Sequence, residues 1–243
     1  MTETSKDLSI IIPCYNEEDS LPLLLDKLAP FLEVFPHKYE LIFVNDGSTD
    51  KTVELINKLF KEKYPIKLIS YEKNRNLGGA VKEGILHISM PYTVVLDSDC
   101  SYDPIDILEM YKHIDSYDVI SASAHHPDAS FNFELPWYRL MLSKGVVILY
   151  FLATFKYLNS YTSIFRVYDS KLLQSIKIEK DSFVAMTEML VKLINKKAKV
   201  LDFPSDSNYR TFGVSKMRLK STIMSHIYFL LEIVLDKLRI KKL

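Results

Sequence analysis

The sequence predicts an α/β protein built on a doubly wound, mostly parallel sheet with helices on both faces. Short apolar runs alternate with amphipathic helical patterns through the first half of the chain, as βαβ units do. At 243 residues the chain suits one such domain with an appendage, since single cores grow to roughly 250–300 residues before splitting. With 48% hydrophobic and 12% aromatic residues it has ample material for a packed core.

The elements follow in order. Residues 8–13 (LSIIIP) read as a strand, and Ser20 is placed to cap a helix carrying Leu24, Leu25, Leu28, Phe31 and Leu32 on one side. Residues 39–44 (YELIFV) form a second strand, followed by a DGSTD turn and a helix with Val53, Ile56, Leu59 and Phe60. Residues 66–71 make a third strand and 79–89 a third helix. A fourth strand covers 92–96 (YTVVL), a helix starts near Pro104, and a fifth strand covers 118–122. Beyond residue 124 the pattern changes. A polar and aromatic connection leads to a helix over 138–155, a strand or loop at 160–167, a helix near 183–196, a strand at 199–203 and a loop at 205–216. The last helix, 223–238, spaces Ile223, Ile227, Leu230, Leu231, Val234 and Leu238 at helical intervals. That makes it amphipathic, either packed on the domain or lying on a surface. The expected organisation is one domain over 1–218, with halves 8–123 and 124–218, followed by a helical tail at 219–243.

Charge narrows the partners. Thirty-one basic residues balance 31 acidic ones, which argues against nucleic acid as a partner. The balance conceals segregation: residues 216–243 hold seven basic and two acidic residues, a net +5, which suits an anionic membrane surface. The polar N-terminus lacks a secretory pattern, and Cys14 and Cys100 make no disulfide framework. The expectation is a cytoplasmic protein, peripheral on the cytoplasmic face of a membrane.

In an open parallel sheet, ligands bind outside the carboxyl ends of the strands. Four successive strand ends here carry polar clusters. They are Pro13-Cys14-Tyr15-Asn16-Glu17, Asn45-Asp46-Gly47-Ser48-Thr49-Asp50, Asn74-Arg75-Asn76-Leu77-Gly78-Gly79 and Asp97-Ser98-Asp99. Only six glycines occur in the chain, and Gly47, Gly78, Gly79 and Gly84 fall in or beside these clusters. The amides around Gly78 are candidates to meet an anion at a helix start. Two carboxylates one residue apart at a strand end suit a hard divalent cation that bridges a diphosphate.

This ordered set resembles the inverting family 2 glycosyltransferases of the GT-A fold. Tyr161-Thr162-Ser163-Ile164-Phe165-Arg166, then Glu188 on its helix, then Arg210-Thr211-Phe212-Gly213-Val214-Ser215-Lys216 are similar to the dolichyl-phosphate mannose synthase and polyprenyl-phosphate glycosyltransferase branch. The resemblance implies a donor pocket lined by Pro13, Tyr15, Glu17, Asp46, Gly47, Asn76, Gly78 and Asp97. It implies Mg²⁺ or Mn²⁺ on Asp97 and Asp99, and phosphate or acceptor contacts from Arg139, Arg166, Arg210 and Lys216. Asp99, Glu188, Arg210 and Lys216 would carry the catalysis, and Glu188 would face the sugar or donor. The implied partners are a nucleotide-diphosphate sugar, a polyprenyl phosphate and an anionic membrane surface, with room for a multi-spanning membrane partner or a homodimer. An acceptor with a hydroxyl nucleophile would need a carboxylate base, for which Glu188 and Asp103 are the candidates. Two other readings stay open: a family 2 enzyme extending a polysaccharide or other glycan, and a non-catalytic nucleotide-sugar-binding module attached to a membrane. The chain departs from the family pattern at Asn45, Ser101, Ala124 and Ile164.

Overall fold

The computed structural model describes residues 5–130, 137–207 and 219–238, with side chains omitted at 137–140 and 219–220. Seven strands form one sheet in the order β3-β2-β1-β4-β6-β5-β7. They are β1 (Leu8–Cys14), β2 (Tyr39–Asp46), β3 (Ile66–Tyr71), β4 (Tyr92–Val95), β5 (Val119–Ser123), β6 (Arg166–Asp169) and β7 (Val200–Pro204). All neighbouring pairs are parallel except those of β6, which runs antiparallel to both β4 and β5. The predicted doubly wound, mostly parallel sheet is therefore present. Its antiparallel member comes from the stretch where the sequence left strand and loop open.

Side-chain alternation sorts the helices onto two faces. Ile10 and Ile12 of β1 join the core beneath α1 (Leu21–Val34), α2 (Thr52–Phe60) and α4 (Asp106–Tyr111). Ile11 points to the other core, shared with α3 (Asn76–Leu86), α5 (Trp137–Thr154), α6 (Ser170–Gln174), α7 (Val184–Asn195) and α8 (Leu219–Lys237). Close packing fixes α3: a Cβ on Gly84 would sit 2.5 Å from Ile11 Cγ2, too near for any real contact.

Local chemistry departs from the sequence reading at two points. Ser20 makes no side-chain cap; its Oγ donates to Glu17 Oε2 at 2.8 Å instead. The C-terminal helix docks through His226, Phe229 and Ile233, while Ile227, Leu231, Val234 and Leu238, assigned to its apolar stripe, are exposed. The helix is apolar on two sides, so its spacing alone could not choose which one packs.

Candidate functional site

The carboxyl ends of β1 to β4 each turn through a residue in the left-handed region: Asn16 (φ 51°), Gly47 (φ 72°), Asn76 (φ 62°) and Cys100 (φ 53°). Asn and Gly adopt this conformation readily, whereas for Cys100 it costs about 1–2 kcal/mol. At Gly47 the turn also runs tight, since a Cβ would lie 2.7 Å from the Glu72 carbonyl oxygen.

Side chains lock these turns to one another. The Asn16 N–H donates to Ser48 Oγ at 2.9 Å, and Asn16 Oδ1 accepts the Thr49 N–H at 2.8 Å. The Glu17 N–H donates to Thr52 Oγ1 at 2.8 Å, and the Lys51 N–H to Glu18 Oε2 at 3.0 Å. Asn45 holds its own turn, accepting the Ser48 N–H at 3.1 Å. Pro13 is buried at the end of β1, and Tyr15 is half-buried beside it.

The next pair of loops is joined by Asp46. Its Oδ1 accepts the Arg75 N–H at 2.6 Å, and its carbonyl accepts Asn74 Nδ2 at 3.1 Å. Burial raises the Asp46 carboxyl above its ordinary range, although the Arg75 N–H and charge pull the other way. The Arg75 guanidinium lies 4.3 Å over the Tyr71 ring and is half-exposed. Arg75 is a cation at this edge of the sheet to which the sequence reading gave no role; its signal was its place between Asn74 and Asn76.

Gly78 has a different use from the one expected. Its N–H and that of Gly79 donate to the Asp181 carbonyl at 2.7 and 3.3 Å. A Cβ on Gly78 would lie 2.6 Å from Ala185 Cβ. The amide proposed for an anion is thus committed to the loop ahead of α7, and the glycine permits close packing there.

Beyond β4, Asp97 is half-buried and Asp99 is buried. Asp99 Oδ1 accepts the Ser101 N–H at 2.9 Å and the Ser101 hydroxyl at 2.6 Å. Ser98 Oγ, between the two aspartates, is buried and has no hydrogen-bond partner among the described residues. Burial pushes the Cys100 thiol up to about 12, and the charges of Asp99, Asp103 and Asp97 add to it. Among the described residues no three His, Cys, Asp or Glu side chains group to hold a metal. Two carboxylates with oxygen donors fit a hard cation that takes its remaining ligands from a diphosphate. An antiparallel bridge between Tyr102 and Ser207 brings the end of the 200–207 segment beside this turn.

Two expected site residues face inward. Arg166 is fully buried, its Nε donating to Ser121 Oγ at 2.8 Å, Nη1 to the Met186 carbonyl at 2.7 Å and Nη2 to the Tyr161 carbonyl at 2.8 Å. It ties β5, α7 and the 161 loop together and presents no face to a phosphate. Glu188 is also fully buried; its carboxylate accepts the N–H groups of Glu179 and Lys180 at 2.9 Å and pairs with Lys192 at 2.8 Å. It clamps the 176–182 loop to α7 and does not face a sugar. Asp103 is engaged as well, with Lys27 at 2.9 Å and the Ile105 N–H at 3.1 Å. Arg210 and Lys216 lie outside the described residues, as does the side chain of Arg139 on the first turn of α5.

Comparison with known proteins gives this edge a context. The family model for glycosyl transferase family 2 matches residues 9–176. The dolichol-phosphate mannosyltransferase of Pyrococcus furiosus is 28% identical over 229 residues, covering 93% of this chain and 64% of its own. The undecaprenyl-phosphate 4-deoxy-4-formamido-L-arabinose transferase of Yersinia enterocolitica is 29% identical over 179 residues, covering 72% of this chain and 52% of its own. This chain thus spans between about half and two thirds of the length of these curated relatives. Among solved structures, glucosyl-3-phosphoglycerate synthase from Mycobacterium tuberculosis, in complex with Mn²⁺, UDP and phosphoglyceric acid, superposes with a TM-score of 0.69 at 14% identity. That match covers 95% of this chain and 78% of the other, and it establishes a shared GT-A fold.

Proposed function

The chain belongs to glycosyl transferase family 2, and we propose that it moves a hexose from a nucleotide-diphosphate sugar to a polyprenyl phosphate, inverting the anomeric carbon. Pro13, Tyr15, Glu17, Asp46 and Gly47 line the nucleoside side of the donor pocket in this reading. Asn76 and Arg75 border it at the start of α3. Asp97 and Asp99 hold Mg²⁺ or Mn²⁺, which when bound supplies positive charge for the departing diphosphate. Arg210 and Lys216 follow Ser207, which bridges to Tyr102 beside Asp99; they are the cations proposed to grip acceptor or donor phosphate. Residues 8–123 serve the donor and 124–218 the acceptor.

The observation that favours a phosphate acceptor is the engagement of both candidate bases. Glu188 is sealed in a clamp and Asp103 is held by Lys27 and the Ile105 amide. A hydroxyl nucleophile needs a proton acceptor, whereas a phosphate monoester oxygen is already anionic near neutral pH. That oxygen attacks the anomeric carbon, the bond to the diphosphate breaks, and its electron pair leaves with the nucleoside diphosphate. Positioning by the cations then does most of the work. The named relatives, which act on dolichol phosphate and undecaprenyl phosphate, support the same acceptor class.

The test is a transfer assay with radiolabelled nucleotide sugars, Mn²⁺ or Mg²⁺, and polyprenyl phosphate in detergent. Organic-extractable product that requires both metal and lipid phosphate is expected. A water-soluble product that ignores the lipid would mark a glycan-extending enzyme instead, and binding without turnover would mark a module without catalysis.

A further inference from the structure

We propose that Lys180 and Glu232 are positioning residues for the nucleotide donor, acting through the 176–182 loop on the first turn of α3; that this edge holds a nucleotide rests on the donor pocket proposed above. The first turn of a helix leaves N–H groups that need partners from elsewhere. At α3 the N-cap residue is Arg75, whose side chain caps none of them. The Asp181 carbonyl, about a hundred positions along the chain, does so instead, accepting the Gly78 N–H at 2.7 Å and the Gly79 N–H at 3.3 Å. From the other side, Asp46 accepts the Arg75 N–H at 2.6 Å. The start of α3 is therefore set jointly by the end of β2 and by the 176–182 loop.

That loop has no helix or strand of its own, so side chains must fix it. The buried Glu188 carboxylate accepts the N–H groups of Glu179 and Lys180, each at 2.9 Å. Lys82 on α3 pairs with the Asp181 carboxylate. Lys180 Nζ reaches across to α8 and pairs with Glu232 at 2.6 Å. The two side chains of that pair are 26% and 25% exposed, so water and salt screen it less than a fully exposed pair.

The geometry leaves little slack along this route. Lys180 adjoins Asp181, so a shift of the anchored residue moves the capping carbonyl with it. A Cβ on Gly78 would lie 2.6 Å from Ala185 Cβ and 2.7 Å from the Asp181 carbonyl carbon; α3, α7 and the loop touch directly there. A continuous chain of contacts thus runs from Glu232 through Lys180, Asp181, Gly78 and Arg75 to Asp46. Such contiguous packed and hydrogen-bonded contacts can carry energetic coupling between distant groups.

A purely structural pair would lower stability and leave the nucleotide affinity of the folded protein unchanged. Calorimetric titration of the full chain with UDP and with GDP, each with Mn²⁺ and well below the melting temperature of every variant, separates the two roles. Lys180→Met and Glu232→Gln are each expected to weaken nucleotide binding about threefold, and the double variant no more than either alone. Lys180→Arg, which keeps the pair, should bind like the wild type. In the free protein, amide hydrogen exchange at Gly78 and Gly79 should quicken in Lys180→Met and Glu232→Gln but not in Lys180→Arg. Wild-type affinity in both single variants, effects that add in the double variant, or unchanged exchange at the two glycines would each overturn the proposal. A wild type that binds neither nucleotide would overturn the donor pocket, and this role with it; a wild type that binds while the variants match it overturns the positioning role alone.

Discussion

The carboxyl edge of β1 to β4 and the layer behind β6 both bury charged side chains, and they use them in opposite ways. At the edge, Asp46 gives an oxygen to the neighbouring loop at Arg75, Asp99 gives one to its own turn at Ser101, and both stay at the rim of the sheet. Behind β6, Arg166 and Glu188 commit their polar groups to the interior. The lesson is that a charged residue in a recognisable motif can serve the reaction or the scaffold. Only the direction of its side chain separates the two.

Breaking the comparison at its chemical end should have the largest effect. Asp99→Asn keeps an acceptor for Ser101 but removes the charge, so transfer should fall by about 10²–10³-fold or more while the melting temperature stays near that of the wild type. At the scaffold end, Arg166→Met removes three hydrogen bonds from a fully buried site and should cost about 3 kcal/mol of stability in urea unfolding. Glu188→Gln weakens the clamp on the 176–182 loop and leaves Lys192 without its charged partner. A loss of about 2 kcal/mol is expected by the same measurement.

A carboxylate at the opposite end of the strands calibrates both regions. Burial works against the charge on Glu40, but Lys67 and the hydrogen bonds from Ser9 and Ser89 outweigh it and hold the carboxyl below its ordinary range. A depressed carboxyl stabilises the fold above its unfolded value of 4.5 and loses that contribution as pH falls through the folded value. Glu40→Gln should therefore cost about 1–2 kcal/mol at pH 7, with the difference from wild type closing as the pH falls below 4.5 and through the lowered folded value. The smallest effect belongs to the outer helix layer. A Cβ on Gly145 in α5 meets nothing within 4 Å, so Gly145→Ala should stabilise the protein by up to about 1 kcal/mol in thermal unfolding.

The edge was legible in the sequence because βαβ alternation is periodic and because strand ends are where loops gather polar residues. The same reasoning placed Asp97 and Asp99 beyond β4. It could not see that β6 runs antiparallel, since Arg166–Asp169 is only four residues long and buried strands show no alternation. Nor could it tell that the Gly78 amide is taken by the Asp181 carbonyl, because that contact joins residues about a hundred positions apart. In α8 the periodic signal was real but doubled: apolar residues on two sides satisfy the same spacing, and packing against Tyr150 selected the side carrying Phe229 and Ile233.

The central claim is that the strand ends hold the donor chemistry while Arg166 belongs to the scaffold. Calorimetric titration of nucleotide sugar with and without Mn²⁺, run on Asp99→Asn and Arg166→Met beside their thermal melts, tests it most directly. Asp99→Asn should melt like the wild type and lose the metal-dependent part of binding. Arg166→Met should melt early yet bind the donor normally while folded. A stable Arg166→Met that cannot bind the donor, or an Asp99→Asn that keeps full metal dependence, would contradict the account.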